Sequence, residues 1–324
     1  MSDPGLAGPL HANAAGRAPW LSTAFVLLLC GAYVAAAAWI DQRNGTFQRL
    51  GGMAIPLVAA TPVVLLTYLA RYWRWHGLLT RQGHQVPVLR GLAAYLAGFA
   101  LTATPGKAGE LLRLRYFVRM GVPAQRSLAT FVFERASDLL VILLFSLLAA
   151  PVFPTLGTLA AIVLVFVGGL FALAAWPTGL HALARPAQRL PLPWLRRLSA
   201  FALATARELG QCLDLPNFLR SLGTGLVAWG LTAAVFIWIC HHLGITLPAG
   251  VGWGIYPLAM LIGALSFVPG GVGTTELAIV LMLQRLHVPA ADAWAAAIAV
   301  RLVTLWFAIA VGATALLRLE LARK

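Results

Sequence analysis

The sequence predicts an all-α polytopic membrane protein with about six full-span helices and two oppositely oriented Pro-Gly re-entrant hairpins, arranged as an inverted repeat. Three observations predict it. Of 324 residues, 60% are hydrophobic and 10% charged, against roughly a quarter charged in a soluble domain. Apolar stretches long enough to cross a bilayer recur between Trp20 and Leu317. Two further apolar runs stop at Pro-Gly breaks and resume as second short helices. The formal net charge of +14 would point to nucleic acid in a soluble protein. Here it is expected from Lys and Arg held on the cytoplasmic side of a membrane, so no nucleic-acid partner is expected.

Taken in order, residues 1–19 are rich in Gly, Pro and Ala and are expected to form a disordered cytoplasmic leader. The run Trp20–Ile40 follows Arg17 and ends near Ala35–Ala38, which loosely resembles a cleavable signal peptide. It is long enough to span, however, and is read as a retained first helix. Full spans are expected over 53–70, 124–150, 155–176, 218–243 and 289–317. The interrupted runs give hairpins over 89–118 and 250–287. Their breaks are Thr104-Pro105-Gly106-Lys107-Ala108-Gly109-Glu110 and Val268-Pro269-Gly270-Gly271-Val272-Gly273-Thr274-Thr275-Glu276. Two plain full-span hairpins fit the hydropathy as well. A single transmembrane domain, 20–318, thus divides into a first half (20–176), a Pro- and Arg-rich connector (177–217) and a second half (218–318), with a cytoplasmic tail at 319–324. The connector is expected to lie on the cytoplasmic leaflet as an interfacial helix paired with anionic lipid.

Orientation follows from the basic residues. With both termini inside, eighteen of the 24 fall in cytoplasmic segments, Arg71, Arg74 and Arg113 among them. Arg43, Arg49 and Arg285 fall outside, and Lys107, Arg135 and Arg301 remain at membrane depth. On this count the two hairpins dip in from opposite faces, the pattern of transporters whose broken helices meet at a midplane site.

Ionisable residues at that depth are costly and mark function by default. Glu134 and Asp138 share one helix face at i, i+4. An acidic cluster in the first half facing Arg301 in the second is expected as a gate or clamp. The same charges also fit a purely structural ion network, and the glycines fit close packing of membrane helices. The breaks argue otherwise: Pro105, Gly106 and Gly109, and Pro269, Gly270, Gly271 and Gly273, leave helix N-termini with free N–H donors inside the membrane, which favour an anion.

Cys30, Cys212 and Cys240 form no paired or metal-binding spacing. The motifs of zinc hydrolases, acyl-transfer triads and nucleotide sites are absent from the sequence. No cofactor, metal or catalytic residue is therefore expected.

The strings T-P-G-K-A-G-E-L-L-R (104–113), F-E-R-A-S-D-L-L (133–140), V-P-G-G-V-G-T-T-E (268–276) and A-V-R-L (299–302) together resemble the lysylphosphatidylglycerol synthase transmembrane-region family, also called flippase-like domains. The resemblance covers about residues 20–318. In the family such a domain is credited with moving aminoacylated phosphatidylglycerol between leaflets, while a separate soluble aminoacyltransferase makes the lipid. About seven residues follow the last helix here, so a stand-alone member without the transferase is expected.

The resemblance implies a lipid translocator of the bacterial inner membrane, acting on an anionic or modified phospholipid or a polyprenyl envelope lipid. Lys107, Arg113, Arg135, Arg301, Thr274 and Thr275 are expected to bind substrate. Glu110, Glu134, Asp138 and Glu276 are expected to act in gating, ion pairing or proton coupling. Membrane lipids are the expected partners, with envelope-lipid biosynthetic enzymes possible beside them. The alternatives are a secondary transporter of a soluble anion, an intramembrane lipid-modifying transferase using Glu110 or Glu276 as base, and a non-catalytic accessory of envelope lipid synthesis.

Overall fold

The computed structural model describes residues 18–104, 109–153, 156–189 and 192–322, and every regular element among them is helical. The first unit contains α1 (Ala18–Asn44), where Arg43 lies over the Trp39 ring at 4.2 Å. Gly45, at φ +63°, ends it.

The second unit begins with α2 (Thr46–Leu50) and α3 (Ala54–Arg81). A span was expected only over 53–70, but α3 continues to Arg81. Tyr68, Tyr72, Trp75 and Leu79 keep one face buried at helical spacing. α4 (Val88–Ala97) runs into a 3-10 turn at Gly98–Leu101, and α5 (Leu112–Arg119) packs back on α4. α6 (Ala124–Ser146) carries Arg126, Glu134, Arg135 and Asp138 on an otherwise uncharged helix, and α7 (Leu156–Ala174) follows it. Pro87 and Pro123 each stand in extended conformation just before a helix, where a missing N–H costs nothing.

The connector forms two helices, α8 (Pro177–Arg189) and α9 (Pro193–Gly210), and α9 packs against α6 and α7. Asp214 caps α10 (Leu215–His242) by accepting from Asn217 N at 2.8 Å. α11 (Val251–Leu265), a 3-10 turn at Pro269–Gly271, and α12 (Thr274–Arg285) form the second interrupted pair, and α11 packs on α12. α13 (Ala290–Arg301) passes through a π-helical turn at Leu302–Trp306 into α14 (Phe307–Leu321).

Among the described residues, four helices are long and apolar enough to cross a membrane: α3, α7, α10 and the continuous 32-residue run Ala290–Leu321. Large apolar side chains such as Val165 and Phe166 on α7 and Ile55 on α3 are exposed, as expected where lipid is the solvent. Glu110, Arg113, Glu134, Asp138, Glu276 and Arg301 are instead buried. α3 packs along α10, both α10 and α11 pack on α6, and α14 lies against α4 and its 3-10 turn. That last contact is close: a Cβ on Gly312 would collide with the backbone of Ala100.

Candidate functional site

α6 places Glu134 and Asp138 on one face, and α3 places Arg71 and Arg74 three residues apart opposite them. Arg74 Nη2 donates to Glu134 Oε1 at 3.1 Å and to Asp138 Oδ1 at 2.8 Å, and Arg71 Nη1 donates to Asp138 Oδ2 at 3.2 Å. α5 contributes Arg113, whose Nη2 donates to Glu134 Oε2 at 3.0 Å. α4 contributes Tyr95, whose hydroxyl donates to Glu134 Oε1 at 2.6 Å. The Arg113 guanidinium also lies over Trp75 at 4.3 Å and Tyr95 at 4.5 Å, which offsets part of its desolvation. Glu110 accepts from Thr102 Oγ1 at 2.8 Å and lies 3.6 Å from Arg113 and 3.9 Å from Arg135. All of these carboxylates are buried.

Arg135 is held differently. Its Nη2 lies 3.3 Å from Asp138 and 3.5 Å from Glu134, yet neither Nε nor Nη2 makes a hydrogen bond. It is the loosest guanidinium of the cluster.

The second interrupted pair makes a separate site. Arg301 Nε donates to Glu276 Oε1 at 2.9 Å, and Arg301 Nη2 donates to the carbonyl of Gly270. The other oxygen of Glu276 accepts from Gly273 N at 2.8 Å, closing the N-terminus of α12. Gly270 (φ +61°) touches the first break, since a Cβ there would lie 3.2 Å from Ala103 Cα. The two interruptions, far apart in sequence, meet at this point.

Between them lies a cavity of about 90 Å³, lined by Arg71, Glu110 and Arg135 from the first half and by Gly270, Arg301 and Thr304 from the second. Tyr68 and Tyr256 fix its floor by donating to the carbonyl and hydroxyl of Thr304 at 3.2 and 3.0 Å. Thr304 lies in the π-helical turn, a distortion frequent at functional sites. The volume suits several waters or one small oxyanion.

The expected residues divide accordingly. Arg135, Arg301, Glu110 and Gly270 line the cavity, while Glu134 and Asp138 stand behind it. Arg113 is fully buried in the network and does not line the cavity. The Thr274 hydroxyl donates to Gly271 O, and Thr275 packs against Gly263; neither lines the cavity. Gly109 donates its N–H to Thr104 Oγ1 at 2.6 Å and has no space for a Cβ, while Gly271 and Gly273 take φ of +64° and +82°. Pro269 opens the 3-10 turn. Pro105, Gly106 and Lys107 lie outside the described residues.

Two expectations change. Arg301 does not face Glu134 and Asp138: it pairs with Glu276, and those carboxylates are taken by Arg71, Arg74 and Arg113. Glu276 is fixed by its own helix terminus within reach of Arg301, and α3 presents its arginines directly to α6. Arg71, Arg74 and Arg113, counted with the cytoplasmic segments, are not free surface charges: Arg74 and Arg113 are buried and Arg71 lines the cavity. The apolar periodicity continuing through Tyr72, Trp75 and Leu79 was the signal that α3 runs on and turns Arg71 and Arg74 inward.

Residues 5–312 match the family model described as the lysylphosphatidylglycerol synthase TM region. A stretch of 62 residues is 39% identical to the phosphatidylglycerol lysyltransferase of Staphylococcus xylosus. That stretch is 19% of this chain and spans only 7% of the relative's length.

Proposed function

The chain belongs to the lysylphosphatidylglycerol synthase transmembrane-region family, and from that premise we propose that it translocates an anionic or modified envelope lipid between leaflets of a bacterial inner membrane, without itself catalysing a covalent change. The observation that carries this reading is Arg135, which lines a cavity shared by both halves while its Nε has no hydrogen-bond partner and its Nη2 makes only ion-pair contacts, at 3.3 Å to Asp138 and 3.5 Å to Glu134. Buried donors are ordinarily filled, and a phosphate headgroup is the acceptor a bilayer supplies. Charge supports the same occupant. Among the described residues, Arg71, Arg74, Arg113, Arg135 and Arg301 face Glu110, Glu134, Asp138 and Glu276, one cation in excess.

In this reading both interrupted pairs are re-entrant and related by inversion. α4, with 10 residues, reaches about 15 Å, half of a hydrocarbon core. Arg135 and Arg301 hold the phosphate, and Arg71 completes the cradle. Glu110 and Glu276 take up Arg135 and Arg301 when the site empties. The acyl chains stay in lipid, and both termini lie in the cytoplasm.

Leaflet-resolved lipid assays in reconstituted vesicles test this. Wild type is expected to redistribute an anionic phospholipid, and Arg135→Gln and Arg301→Ala to do so at least about tenfold more slowly, as expected for losing a charged hydrogen bond. Equal rates in correctly folded variants would sink the proposal. The small volume of the cavity favours one second reading, secondary transport of a soluble anion, which phosphate uptake without lipid redistribution would select.

A further inference from the structure

A second cavity, of about 520 Å³, opens between the last turns of α3 and the first turns of α10, and the proposed translocation makes no use of it. Its charged lining is Arg74, Arg81 and Arg220, and no carboxylate is among its described lining residues. Asn217 orients Arg81, accepting from its Nη1 at 3.2 Å. On the inner wall, Ser221 is 1% exposed and its hydroxyl has no hydrogen-bond partner. Arg74, whose side chain is 2% exposed, likewise has an Nε without an acceptor. Two unfilled buried polar groups and two exposed arginines on one concave wall call for an anion rich in acceptors.

The position of the cavity narrows the class. Both walls are membrane-crossing helices, and the cavity sits at the end they share. Trp73, on its rim, is 63% exposed, and exposed tryptophan is characteristic of the headgroup level. A Cβ at Gly77 or Gly223 would meet nothing within 4 Å, so the space between the helices is open. We infer that this cavity binds the phosphate of an anionic glycerophospholipid headgroup, with Arg81 and Arg220 at its mouth and Ser221 and Arg74 at its floor. Arg74 also holds Glu134 and Asp138, so an occupant competes with those carboxylates for one guanidinium. The inference concerns binding at the membrane surface and goes beyond translocation.

The full chain, exchanged into phosphatidylcholine nanodiscs containing phosphatidylglycerol, is analysed by native mass spectrometry for retained phosphatidylglycerol. All measurements are made in an Arg135→Gln background, so that lipid at the central site does not contribute and the two proposals fail separately. Retention is expected to fall at least about tenfold in Arg81→Gln/Arg220→Gln, as for two lost charged hydrogen bonds, and to be lost in Gly223→Phe, which fills the space. Arg81→Lys/Arg220→Lys should keep most of it, separating lost charge from misfolding. Unchanged retention in both disabling variants overturns the inference. Displacement of the lipid by inorganic phosphate, with phosphate itself retained, overturns the lipid assignment in favour of a free oxyanion site.

Discussion

Tyr95 donates its hydroxyl proton to Glu134 across 2.6 Å, onto the same oxygen that accepts from Arg74. The carboxylate is fully buried, and each of its partners comes from a different helix, so one side chain ties together α3, α4, α5 and α6. Tyr95→Phe removes one bond to a charged acceptor and leaves the guanidinium partners in place. It is expected to cost about 1.5–3 kcal/mol, read as a lower midpoint of thermal unfolding. Arg113→Leu goes further, because it also removes the cation stacked on Trp75 and Tyr95. Breaking a buried pair on one side costs about 3–5 kcal/mol. An Arg113→Leu protein as stable as wild type would show that the network does not hold the helices together.

Arg301 and Glu276 combine stability with function. Glu276 accepts from both Arg301 and Gly273 N, so Glu276→Gln keeps an acceptor for the helix end but removes the charge facing Arg301. Each of Glu276→Gln and Arg301→Met should destabilise. The double variant should lose less than the sum, with a coupling of about 1–3 kcal/mol. Lipid redistribution behaves differently, falling in Arg301→Met and staying low in the double variant. Full recovery of transport in the double variant would reduce the pair to a structural bridge.

Much of this was legible in the residues. Apolar runs long enough to span place the long helices, and the second Pro-Gly break does come against the first interrupted segment, where Gly270 approaches Ala103. The partners of the charges were not legible. Glu134 and Asp138 can be placed on one helix face from their spacing, but which arginine they meet depends on α3 packing beside α6, a tertiary fact. Counting basic residues by segment does not reveal that Arg71 and Arg74 pair inside the bundle, because a helix extending past its apolar run carries cations inward when tryptophan and tyrosine hold the same face.

The contact between the breaks can be isolated by comparing two glycines. Gly270 and Gly273 both have positive φ, at +61° and +82°, but a Cβ on Gly273 meets nothing within 4 Å whereas one on Gly270 meets Ala103. Alanine at either position carries a backbone penalty of about 1–2 kcal/mol. Gly270→Ala should lose measurably more than Gly273→Ala in thermal unfolding, and slow lipid redistribution where Gly273→Ala does not. Equal losses would mean that the two interruptions do not bear on each other.

The last prediction concerns the connector, expected from its sequence to lie on the leaflet as an interfacial helix. Arg126 of α6 is ion-paired to Glu208 of α9 and donates to Gln211 at 2.9 Å. Just beyond α9, Cys212 packs with Leu78, Ala129, Phe133 and Leu209 and accepts from Gln82 Nε2 at 3.0 Å. Burial pushes its thiol up to about 11. Because the thiolate is the reactive form, an acid group with a raised pKa reacts more slowly than an ordinary thiol at any pH below that value. In a variant retaining only Cys212, maleimide labelling at pH 8 should be at least about a hundredfold slower than in denaturant, and should rise steeply towards pH 11. Fast labelling at pH 8 in the folded protein would mean that α9 readily leaves α6. An Arg126→Gln variant that labels faster, with its helix content unchanged, would identify the Arg126–Glu208 pair as what holds it there.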